Sequence, residues 1–165
     1  MSWAAAYARQ AKSDLDAREQ LLSLNPCHQL HYLQMAAEKL CKAHLSSQGQ
    51  PQSVLETSHA FIAGPLPVIV RQIIARDSGR SRQGWLLTAI RKLTRQIELL
   101  HPQVDDGGRT PANCIYPWEG PGRNVIAPVD HPFGLNLLHE QAGTTLLKIM
   151  RTAIDELIAE GDDLS

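Results

Sequence analysis

The chain has 165 residues, 43% hydrophobic and 20% charged, the balance of an ordinary globular domain with enough apolar mass for one core. No apolar run approaches the roughly 18 residues of a membrane span. The opening MSWAAAYARQAKSDLDAREQ lacks the basic start and apolar centre of a secretory leader, so a cytoplasmic protein without membrane association is expected. The net charge of −1 conceals an asymmetry: residues 1–100 carry 12 Lys+Arg against 7 Asp+Glu, and residues 101–165 carry 4 against 10.

Taken in chain order, Ala4, Ala8, Ala11, Leu15 and Leu22 recur at helical spacing and predict a first helix over 3–23. Asn25-Pro26 breaks it and opens a second helix over 27–45, which the Ser46–Pro51 turn ends. On that helix Leu30, Leu33, Ala37 and Leu40 make one apolar face, while Cys27, His31, Gln34, Glu38 and Cys41 make another stripe. Apolar or small residues on most sides put this helix at the centre of a bundle, so its polar stripe must be satisfied internally or line a groove. Ser53–Glu56 has the spacing of a capping box, and a third helix is expected from there to Asp77-Ser78-Gly79, interrupted or kinked at Gly64-Pro65-Leu66-Pro67.

The clearest amphipathic segment is 82–101, where Leu86, Ile90, Leu93, Ile97 and Leu100 form a continuous stripe and Pro102 stops the helix at His101. Residues 102–135 carry six prolines and five glycines, too many breaks for long regular structure, yet Ile115, Trp118, Ile126 and Phe133 would pack them down. Leu138, Leu146, Ile149, Ala153 and Leu157 then predict a last helix over 136–160, with Gly161 ending it. The fold expected is all-α: one domain over 1–165, an up-and-down bundle of about five helices with a long irregular arm, 102–135, before the last.

The piece Gln34-Met35-Ala36-Ala37-Glu38-Lys39-Leu40-Cys41-Lys42-Ala43 resembles the second-helix signature of HEPN-type domains. An upstream Asp14-Leu15 and a downstream Ser58-His59 fit the same layout, and Asn113–Glu119 resembles a segment of uncharacterised bacterial relatives. The resemblance implies a helical homodimer, a nucleotidyltransferase-type partner protein in a toxin–antitoxin setting and, in active members, metal-independent RNA cleavage. Such members resemble one another in an Arg followed four to six residues later by His, a spacing met by Arg95 and His101. His101 would be the general acid/base for attack by a ribose 2′-hydroxyl, and Arg95 would stabilise the phosphorane charge. On a continuing helix the two side chains stand about 120° apart and about 9 Å along the axis, and Gln96 occupies a position that active members fill with Asn, Asp or His.

Other residues carry paired readings. Arg71, Arg76, Arg80, Arg82, Arg91, Lys92 and Arg95, opposed only by Asp77, either attract phosphate or balance the acidic C-terminal segment. Glu38 and Lys42 are either a surface i,i+4 pair or, if Glu38 faces an intersubunit groove, a means of orienting Arg95 or His101. Tyr116 and Trp118 either stack on bases or anchor the arm. Seven histidines invite a metal, but Cys27, His31 and Cys41 rise too far along one helix to meet at one ion, so no metal or cofactor is expected. Three cysteines without CxxC spacing read as reduced thiols. The residues favour a non-catalytic HEPN-like module binding RNA, a nucleotide or a partner protein through Glu38, Arg71, Arg91, Lys92, Tyr116 and Trp118. Its rivals are a ribonuclease acting through Arg95 and His101 at a dimer groove, and a purely dimeric scaffold.

Overall fold

A computed structural model describes residues 1–21, 23–78, 84–104 and 111–163. Leu22, Gly79, Arg80 and Arg82, used above, and Gly107 and Gly108 among the five glycines of the arm, lie outside the described residues. The chain forms an all-α bundle of α1 (Trp3–Gln20), α2 (Pro26–Ser47), α3 (Gln52–Leu55), α4 (Pro65–Ser78), α5 (Gly84–Glu98) and α6 (Gln141–Asp163). Among the described residues no helix is long and apolar enough to cross a membrane.

Local chemistry explains the helix starts. The Ser2 hydroxyl accepts from the Ala5 N–H at the head of α1, and the Asn25 side chain accepts from the Cys27 N–H with Pro26 in the first turn of α2. α2 touches α1, α4, α5 and α6 and is the centre of the bundle. Leu33 and Leu40 of α2, Leu66 of α4, Ile90, Leu93 and Ile97 of α5, and Leu146, Met150 and Ile154 of α6 are almost wholly buried in one core. Each contributes about 1.5–3 kcal/mol by leaving water.

The elements depart from expectation in four places. The third helix is interrupted rather than kinked and forms two helices: Pro51 directs α3 to start at Gln52 rather than at Ser53, and residues 56–64 leave helical geometry. Pro65 and Pro67 then sit in the first turn of α4, where a missing N–H costs nothing. α5 stops at Glu98, three residues short of His101; the Leu99, Leu100 and His101 N–H groups close the end by bonding to the Arg95, Ile97 and Glu98 carbonyls.

The last helix starts only at Gln141, behind a 3-10 turn over Asn136–His139. A Cβ on Gly143 would lie 2.1 Å from the Leu138 carbonyl oxygen, so that close approach requires glycine. Gly161 does not end α6 but lets it pass Ala5 of α1, where a Cβ would fall 2.5 Å from the Ala5 methyl. In the arm, Trp118–Glu119 (β1) and Val125–Ile126 (β2) form a two-residue antiparallel ladder, with Gly122 and Arg123 at positive φ in the turn. The arm is tied down by the Cys114 N–H donating to the Leu100 carbonyl and the Asn25 side chain donating to the Val129 carbonyl.

Candidate functional site

Spacing of four on α2 stacks Gln34, Glu38 and Lys42 on one stripe, and the stripe is buried. The Glu38 side chain is 7% exposed and that of Lys42 is 9%, so this i,i+4 pair is interior rather than superficial. Lys42 Nζ lies 2.8 Å from Glu38 Oε1, Gln34 Nε2 donates to Oε2 at 3.0 Å, and His59 Nδ1 lies 3.0 and 3.2 Å from the two oxygens. Burial pushes the Glu38 carboxyl up, but the bonds from Lys42, Gln34 and His59 outweigh it and hold the group below the usual carboxylate range. An ionised carboxylate only accepts, so His59 carries its proton on Nδ1 and donates it to Glu38.

The His59 ring stacks on that of His101, with centroids 3.8 Å apart and planes 14° apart. Burial lowers the His101 pKa, with further lowering from His59, against an upward pull from Glu38. The Gln103 N–H donates to His101 Nδ1 at 3.2 Å, which places the proton of the neutral ring on Nε2. A second buried carboxylate closes the arrangement: Glu98 Oε1 accepts the Ile62 and Ala63 N–H groups, each at 2.9 Å, and Oε2 accepts from Arg95 Nη1 at 2.5 Å. Glu38 and Glu98 together therefore fasten the loop between α3 and α4 to α2 and α5.

Arg95 and His101 accordingly engage different partners: the guanidinium holds Glu98, while the imidazole lies against His59. Glu38 and His101 belong to one cluster through His59, which the sequence marked only as part of a family layout. Glu38 and His59 are 21 residues apart, and nothing periodic between them could have joined them. Among the described residues no three His, Cys, Asp or Glu side chains converge on a metal position. The thiols of Cys27, Cys41 and Cys114 are buried and free; burial raises all three, Cys114 to about 12.

The basic residues divide into two sets. The acids of α6 neutralise part of the excess, with Asp162 on Arg9, Asp155 on Lys12 and Glu156 on Arg76, while Arg151 of α6 meets Glu19 of α1. By contrast, Arg71 on α4, Arg91 and Lys92 on α5, Arg123 in the arm and Lys148 on α6 are exposed and form no ion pair among the described residues, and Arg18 is buried without one. Trp85, 59% exposed, lies on the same solvent side of α5, seven residues before Lys92. The seven-residue spacing of Trp85 and Lys92 is readable in the sequence. Trp118 meets His131 edge-on at 5.0 Å, and His131 meets Phe133 likewise at 4.8 Å, so Trp118 anchors the arm to itself. Tyr116 is 63% exposed and points to solvent.

No protein-family model matches the chain, and neither does any curated protein or any solved structure.

Proposed function

We propose that the chain is a non-catalytic, HEPN-like helical module that binds RNA through the exposed face of α4 and α5. The observation that carries this reading is the set of unpaired cations Arg71, Arg91 and Lys92 on two adjacent helices, in a chain whose Arg9, Lys12, Lys39, Lys42, Arg76, Arg95 and Arg151 are each held by a carboxylate and whose other exposed unpaired cations among the described residues, Arg123 and Lys148, lie on other elements. Folding explains a paired cation; a cluster left open to solvent suits a polyanion whose counterions it releases. Arg95 contributes to the fold through Glu98 and is not a clean probe of binding. The test is RNA affinity of Arg71→Ala/Arg91→Ala/Lys92→Ala across a salt series. Weakened binding with a shallower salt slope is expected, and unchanged binding refutes the reading. In the same proposal, following the resemblance of Gln34–Ala43, the module is a cytoplasmic homodimer working beside a nucleotidyltransferase-type partner in a toxin–antitoxin pair. Light scattering tests the dimer, and co-purification with such a partner tests the pairing.

A second reading, metal-independent ribonuclease activity, draws on the Glu38-held His59 ring stacked against His101, two imidazoles with assigned protons at one place. It expects RNA cleavage in EDTA by the wild type and none by His101→Ala with its fold intact; no cleavage by either removes it.

A further inference from the structure

The three tryptophans of the chain differ in what surrounds them. Trp118 is packed by His131 and Phe133 in the arm. Trp3 is 58% exposed but leans on Tyr7 at 6.1 Å, on a helix whose neighbouring cations Arg9 and Lys12 are already bound to Asp162 and Asp155. Trp85 is 59% exposed, and among the described residues no aromatic ring or cation covers it. Exposure alone does not separate Trp3 from Trp85; the unpaired cations do.

On an α-helix, seven residues bring Lys92 back to within about 20° of Trp85 and about 10 Å further along the axis. Thr88 lies between them, whereas Arg91, six residues from Trp85, stands about 120° round the axis and about 9 Å along it. A bare indole in register with an open ammonium is the pairing that single-stranded nucleic acid requires: a π-face for a base and a cation for the phosphate next to it. A duplex, whose bases are already stacked, cannot use the ring without unpairing. We infer that Trp85 is a stacking platform for an unpaired base of single-stranded RNA, with Lys92 receiving the adjoining phosphate. This rests on the basic-face reading above and adds to it a base contact and a preference for unpaired strands.

The test uses the full chain carrying Trp3→Phe and Trp118→Phe, so that Trp85 is the sole indole. Titration with a short oligoadenylate should quench its emission in step with binding followed by anisotropy of a labelled strand, and a duplex RNA of equal length should quench far less. Trp85→Ala in the otherwise native chain should weaken oligoadenylate binding about 5- to 150-fold, the range of one lost stacking contact. Trp85→Phe should recover most of that loss. Trp85→Ala binding like wild type, while Arg91→Ala/Lys92→Ala binds poorly, overturns the stacking inference and leaves the basic face standing. Equal quenching by duplex and single strand also overturns it. No binding by the wild type overturns both readings.

Discussion

The polar stripe of α2 and the polar stripe of α5 follow the same helical arithmetic and come to opposite ends. On α2, Gln34, Glu38 and Lys42 turn inward, and the carboxylate there collects an ammonium, an amide and an imidazole. On α5, Thr88, Arg91 and Lys92 turn outward, and the two cations meet no carboxylate among the described residues. A charge inside a core gains much from a counter-charge within the chain, because leaving it unpaired costs several kcal/mol. A cation on the surface is under no such demand. Chemistry-bearing residues at a buried site can thus be explained by the fold they hold together, whereas an open cluster on the surface is not explained in that way.

The largest effect should come from breaking the buried side of that contrast. Glu38→Ala leaves Lys42 buried without its partner and His59 without its acceptor, and should cost about 3–5 kcal/mol in urea unfolding. A loss below about 1 kcal/mol would mean that the cluster is not holding the loop between α3 and α4. Acid should act on the same cluster with a fixed sign. His101 has a folded pKa lowered from 6.5, so its contribution is present above that value and is lost as the pH falls toward the folded pKa. Glu38, also lowered, contributes above about 4.5 and loses that contribution at more acid pH. The groups facing His101 are His59, Glu38, His31 and Lys42, and burial lowers His31 as well. His101→Phe should therefore reduce, without abolishing, the fall in thermal stability between about pH 7 and 5; an unchanged profile would assign that fall to other groups.

The smallest effect belongs to the open side. Arg71→Ala/Arg91→Ala/Lys92→Ala should leave the melting temperature nearly unmoved, each exposed change staying within about 0.5 kcal/mol. A clear loss of stability would show that these cations have partners in the fold after all.

The bundle was legible where hydrophobic spacing alone decides, as in the Leu86, Ile90, Leu93 and Ile97 stripe of α5, all buried as expected. Gly64-Pro65-Leu66-Pro67 marks either an interruption or a kink in the sequence, and the structure has the interruption: residues 56–64 leave helical geometry and the prolines open α4. The end of α5 moved from His101 back to Glu98, which took His101 off the helix and against His59. That stack depends on two loops meeting over α2, a tertiary event without a local signature. The polar stripe of α2 was visible as a stripe, but its closure by His59 was not, since residues 21 apart share no period. The split of the basic cluster was equally hidden, because Glu156 reaches Arg76 only once α6 lies against α4.

The most direct test of the open face is the salt dependence of single-stranded RNA binding, wild type beside Arg71→Ala/Arg91→Ala/Lys92→Ala. Each phosphate contact adds about 0.7 to the slope of log affinity against log salt, so losing three should flatten it by about 2 and weaken binding at every salt concentration. A triple variant with the wild-type slope and affinity would contradict the account.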